Sequence, residues 1–201
     1  MVTSYSRIAL LALVGTLTAC QSMNTASIKR IQDTPASKNN AQLYCTGTVN
    51  CEFERWNQIK IVNADNHRVS REAIREKVVR LKRDDLNEAN ALFLSVPAGQ
   101  HELVIRFYPV SVDRAETLHV IHRFKPAERY TFRMFRARSR HQGSLLNMSA
   151  PDPLCVDLKQ SQRTIRRFCK PYNVLNGLCE FVEQKLESCE SELTNNGIFH
   201  V

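Results

Sequence analysis

From Ala91 to Arg138 apolar residues recur at every second position, and this period restricts the chain more than any other feature. Leu92, Leu94 and Val96 alternate, and Pro97-Ala98-Gly99-Gln100 supplies a turn. Leu103, Ile105 and Phe107 then alternate up to Tyr108-Pro109, followed by Leu118, Val120 and Phe124. Lys125-Pro126-Ala127-Glu128 turns the chain again, and Tyr130, Phe132 and Met134 close the pattern. A period of two places these side chains on one side of a strand, while Pro and Gly at the breaks oppose helical continuation. The spacing predicts four strands in sequence, an antiparallel meander with one buried face. Hairpins alone are marginal in water, so such a meander needs a partner layer. The expected fold class is therefore mainly β (α+β), an antiparallel β-sandwich-like domain over residues 41–140.

The flanks extend this reading. The chain has 201 residues, 43% of them hydrophobic and 24% charged, which is too apolar for a disordered chain and leaves room for one decorated domain or two small ones. The segment 52–62, with Phe53, Trp56, Ile59 and Ile61, predicts one broken strand or two short ones. Ile74, Val78 and Leu81 follow Ser70, a helix-capping residue type, whereas Val78 to Leu81 alone reads as strand, so 69–82 is expected to run helix then strand. Residues 20–40 are polar and lack a hydrophobic period, which predicts a flexible tether before a first ordered segment near Leu43.

The N-terminus carries Arg7, an apolar run from Ile8 to Leu17 and then small residues, the pattern of a secretory signal peptide over 1–19. Its apolar run is too short for a spanning helix, which needs about 20 residues. Leu17-Thr18-Ala19-Cys20 resembles the lipobox of bacterial lipoproteins. The resemblance implies cleavage before Cys20, a diacylglycerol on its thiol and, because Gln21 rather than Asp follows, residence in the outer membrane of a gram-negative envelope, lipid-anchored on the periplasmic face. Within the alternating region, Leu94-Ser95-Val96-Pro97-Ala98-Gly99-Gln100-His101-Glu102-Leu103-Val104-Ile105, followed by Arg129-Tyr130-Thr131-Phe132, is similar to PEGA-like periplasmic β-sandwich modules, without the Pro-Glu-Gly-Ala string itself. That similarity implies a binding or structural unit.

With Cys20 assigned to lipid, Cys45, Cys51, Cys155, Cys169, Cys179 and Cys189 remain, an even set that in an oxidising compartment predicts disulfides. A turn-rich loop favours Cys45 with Cys51, and Cys155 with Cys169 comes next. Cys179 with Cys189 is the remainder, in conflict with a helix that Leu175, Leu178, Val182 and Leu186 predict across 174–193. Ten residues of helix would separate those two cysteines by about 15 Å, beyond the roughly 7 Å reach of a disulfide. Residues 141–201 are expected as a disulfide-stapled extension ending in this amphipathic helix, whose face carries Glu180, Glu183, Glu187 and Glu190.

The sequence holds no nucleophile elbow, Gly-rich phosphate loop or His-Glu-x-x-His string, so no enzyme, cofactor or metal is expected. His119 and His122, three apart in a strand, would point to opposite faces. If Leu103, Ile105, Phe107, Tyr130, Phe132 and Met134 face the core, then Arg106, Tyr108, His119, Arg123, Arg133 and Phe135 share the other face, where guanidinium and aromatic groups suit an anionic partner. The competing expectation is that the acidic helix covers it, since residues 123–140 hold seven basic residues and one acidic. The formal charge of +8, one unit lower without the leader, favours an anionic envelope polymer or an envelope protein as partner, alongside the membrane reached by the lipid, and the compartment argues against nucleic acid. The expected role is non-catalytic binding or envelope structure, with an accessory subunit of a secretion or envelope-assembly complex as the alternative. A cell-wall hydrolase is the reading with least support.

Overall fold

Alternation at period two is realised as strands throughout, but the strands do not form one meander. The computed structural model describes residues 25–82, 90–137, 152–170 and 180–186. Their strands are β1 (Ala41–Thr46), β2 (Asn50–Trp56), β3 (Ile59–Lys60), β4 (Val79–Leu81), β5 (Leu92–Val96), β6 (Gly99–Ser111), β7 (Arg114–Phe124), β8 (Arg129–Arg136), β9 (Leu154–Gln160), β10 (Arg163–Lys170) and β11 (Val182–Gln184). One sheet, here sheet A, runs β11-β10-β9-β8-β1-β5-β4, and the other, sheet B, runs β3-β2-β6-β7. The four expected meander strands are thus divided, with β5 and β8 in sheet A and β6 and β7 in sheet B. Alternation specifies which side of a strand is buried and is silent about which sheet the strand joins. The pairing is antiparallel except between β1 and β8, which run parallel with Leu43 opposite Tyr130 and Cys45 opposite Phe132.

The two inner faces share one core. Leu43, Leu94, Tyr130, Phe132, Val156 and Leu158 of sheet A meet Phe53, Leu103, Ile105, Phe107 and Leu118 of sheet B, each at most 1% exposed. The Phe53 and Phe132 rings meet edge to face across the gap, 6.4 Å between centroids. Cys45 and Cys51 are joined, so the disulfide ties β1 of one sheet to β2 of the other through the core. Between them Gly47 turns the chain at φ 98°, where a Cβ would lie 2.0 Å from the Met134 carbonyl oxygen. Both the left-handed backbone and the close approach require glycine here. Cys155 is joined to Cys169, its direct partner across the β9–β10 ladder.

Two readings of the flanks match. Residues 50–60 form the strand pair β2 and β3, reversing at Asn57 with φ 50°. Helix α2 (Arg71–Arg75), preceded by a helical turn α1 at residues 25–29, begins at Ser70, whose hydroxyl accepts from the Ala73 amide at 3.0 Å and donates to the Lys60 carbonyl. Strand β4 follows, giving helix then strand.

Three expectations are corrected. The tether over 20–40 is replaced, within the described residues 25–40, by a segment that docks: Ile28 is 2% exposed in the core and Ile31 packs against it. Two isolated apolar side chains suffice for docking without producing a period. The boundary at 140 falls within one structure, because β9, β10 and β11 continue sheet A. The expected helix over 174–193 is extended at 182–184, where Val182 lies opposite Cys169 and Glu183 opposite Phe168. Pairing with the open edge of β10 satisfies backbone groups there and prevails over helical spacing. Residues 180–181 and 185–186 are likewise not helical, while the remainder of that segment, with Cys179 and Cys189, lies outside the described residues, as do residues 1–24 with Cys20.

Candidate binding surface

The residues expected on one polar face occupy two, on opposite outer sides of the sandwich. Arg106, Tyr108, His119 and Arg123 belong to the outer face of sheet B, whereas Arg133 and Phe135 belong to that of sheet A. They cannot form a single site, for the same reason that the meander divides.

On sheet B the chemistry is consumed internally. Glu52, opposite Arg106 in the β2–β6 ladder, accepts from Arg106 Nη2 at 3.0 Å and from the Tyr108 hydroxyl at 3.2 Å, and His67 Nδ1 lies 2.8 Å from its other oxygen. Arg106 Nε approaches Glu54 Oε2 at 3.3 Å without hydrogen-bond alignment. Arg106 and Tyr108 are only 6% and 3% exposed, so neither presents a free surface. Burial, reinforced by the charge of Glu52, pushes the Tyr108 hydroxyl up to about 12. Arg55 pairs with Glu102 at 2.6 Å nearby. His119 and Arg123 stand exposed at the β7 edge of this mixed-charge face.

His119 and His122 point to opposite sides of β7. His122 faces inward and meets Phe124 and Tyr130 edge to face, with centroids 4.8 and 5.6 Å away. Burial first and the Arg166 guanidinium second hold its imidazole below the ordinary histidine range, with Glu183 opposing. Among the described residues no three His, Cys, Asp or Glu side chains gather as metal ligands would.

The outer face of sheet A is different. Strand registers place Arg80, Phe93, Tyr44, Thr131 and Lys159 in a row across β4, β5, β1, β8 and β9. Tyr44 and Phe93 stack at 4.8 Å, and the Arg129 guanidinium covers Tyr44 at 4.2 Å from its ring centre. A second row holds Arg133, Asp157 and Arg167, in which Arg167 grips Asp157 through two bonds of 2.7 and 3.1 Å and lies over Phe135. Arg80 reaches Asp33 at 3.1 Å. Arg129, Arg133 and Lys159 form no ion pair with any described residue, and the first two are exposed. With Asp157 already committed, the face is cationic and underlain by aromatic rings, suited to oxyanion groups arriving from outside.

The acidic segment expected to cover Arg133 binds elsewhere. Glu183 takes Arg166 Nε and Nη2 at 2.6 Å each, and Arg166 also donates to the Ile121 carbonyl of β7 at 2.7 Å. Lys170 pairs with Glu116 at 2.7 Å, so β10 is fastened to the β7 edge at two points. Arg129 was within reach of sequence reasoning, since it lies four residues before Arg133 on the same strand. Tyr44, Phe93 and Lys159 were not, because their membership depends on non-local pairing.

Comparison with family models, with curated proteins and with solved structures finds no match for this chain. No helix of the described residues is long and apolar enough to cross a membrane.

Proposed function

We propose that this chain is a lipoprotein of the gram-negative envelope, anchored through Cys20 on the periplasmic side of the outer membrane, and that it acts without catalysis by holding an anionic envelope component on the outer face of sheet A. The observation that carries the reading is the exposed pair Arg129 and Arg133 on one strand, which form no ion pair with a described residue, flanked by Lys159 on a face whose carboxylate Asp157 is already held by Arg167. Two disulfides suit an oxidising compartment. On the opposite face the potential acid, base and phenol groups neutralise one another through Glu52.

Binding on such a face is electrostatic. The Arg129 guanidinium, held over the Tyr44 ring, loses little freedom when it meets an oxyanion, and the attraction weakens as salt screens it. Labelled palmitate should enter the native chain and not Cys20→Ser, and label in the variant would overturn the anchor. Envelope extract passed over the immobilised mature protein should yield anionic material eluted by salt. One stoichiometric protein partner resistant to salt would instead support the accessory-subunit role, and turnover of peptidoglycan or lipid would remove the non-catalytic reading.

A further inference from the structure

We infer that the partner of the sheet A face is the phosphate-bearing surface of an anionic phospholipid bilayer, against which the domain lies flat beside its own anchor. The inference rests on the reading that Cys20 carries lipid and adds what the face itself binds. Three observations support it. First, the segment expected to be a tether is docked: Ile28 is buried, so only seven residues, 21–27, lie between Cys20 and the buried anchor point, the last three of them already in the helical turn α1. At about 3.3–3.6 Å per residue these span at most about 30 Å, which holds the domain close to the bilayer. Second, the docked segment touches the face, because Asp33 pairs with Arg80 at the β4 end of the row Arg80, Phe93, Tyr44, Thr131 and Lys159. The docked segment therefore reaches the β4 end of the face on which the cations lie. Third, the two outer faces differ in charge. Sheet B offers Glu52, Glu54 and Glu102 among its cations, whereas sheet A offers Arg129, Arg133 and Lys159 with no carboxylate left unpaired among the described residues of that face.

The free cations lie on neighbouring strands, Arg129 and Arg133 four residues apart on β8 and Lys159 on β9, about 13 Å along the strand and about 4.8 Å across, while Arg80 at the β4 end is held by Asp33. Each basic residue near an anionic leaflet strengthens attachment roughly fivefold, and the acyl anchor keeps the local lipid concentration high. The lipid chains and the basic face then form two signals acting together.

The test uses the acylated mature protein inserted in vesicles of phosphatidylglycerol with phosphatidylcholine, or of phosphatidylcholine alone, so that anchoring is common to both. Hydroxyl-radical footprinting reads Tyr44 and Phe93 on sheet A and His119 on sheet B. Tyr44 and Phe93 should be oxidised several-fold more slowly on the anionic vesicles, with His119 unchanged. High salt, or Arg129→Glu with Arg133→Glu, should remove the protection. The milder pair Arg129→Gln with Arg133→Gln, verified by near-ultraviolet dichroism, serves if the reversals do not fold. Equal oxidation on both vesicles would overturn the inference, as would protection that appears only when peptidoglycan or envelope protein is added. Failure of the anchor reading is seen separately, as absence of acyl mass on Cys20. Sedimentation of the unacylated processed chain with the two vesicle types then decides the face alone.

Discussion

Gly47 occupies a position that no other residue can take without cost. Its φ of 98° and the 2.0 Å approach of a Cβ to the Met134 carbonyl act together, and backbone strain of this kind costs about 1–3 kcal/mol before the overlap is relieved. Gly47→Ala should therefore destabilise the protein by at least about 2 kcal/mol in denaturant melts, even with the Cys45–Cys51 bond intact. Glu52 is the second decisive residue. Its side chain is 10% exposed and that of Arg106 7%, so Glu52→Gln leaves a buried guanidinium with only Glu54 beside it. Removing one partner of a buried pair costs about 3–5 kcal/mol, and Glu54 places the expected loss near the low end. Tyr108 adds a pH signature. Its folded value of about 12 lies above the ordinary phenol value of 10.0, so its contribution is complete below pH 10 and is lost as pH rises toward 12. In Glu52→Gln, phenolate absorbance should show this hydroxyl titrating at lower pH yet still above 10, because burial outranks Glu52 among the causes.

At the scale of elements, β11 is held by backbone pairing and by one Arg166–Glu183 fork, with the two side chains 25% and 48% exposed. Exposed pairs couple by about 0.2–1 kcal/mol, so a double-mutant cycle on Arg166 and Glu183 should fall in that range. The same cycle on Arg133 and Glu183 should give no coupling, whereas an acidic segment docked on the basic face would couple them. The Arg166 guanidinium holds the Glu183 carboxyl below the ordinary carboxylate range, so this contribution is present above that range and is lost as pH falls through it. The protection of the β11 amides, taken relative to their intrinsic exchange rate at each pH, should fall on acidification, and less so in Glu183→Gln. Elements were legible where local physics decides them: the capped turn at Ser70, the broken strand over 52–62 and the inward-facing alternation from Leu94 to Met134. The β11 segment was misread because Val182 and Leu186 fit a helical stripe equally well, and only the open edge of β10 chooses between the two.

The whole molecule depends on contacts distant in sequence. Mainly β character, the two disulfides among the described residues and the buried side of the strands from Leu92 to Met134 could be read from local pattern, but strands β1, β9, β10 and β11, the parallel β1–β8 pair and the division of strands between sheets could not. That division also decided the surface: Arg106 and Tyr108 became internal partners of Glu52, while Arg133 gained Arg129 and Lys159 as companions. If the sheet A face is for binding and not for stability, its exposed arginines should be nearly silent in the fold, within about 0.5 kcal/mol. The direct measurement pairs a thermal melt with a salt-titrated binding isotherm on anionic vesicles for Arg129→Glu with Arg133→Glu. An unchanged melting temperature with binding weakened at least about 25-fold and a flattened salt dependence is the predicted result. A lowered melting temperature with binding intact would contradict the account.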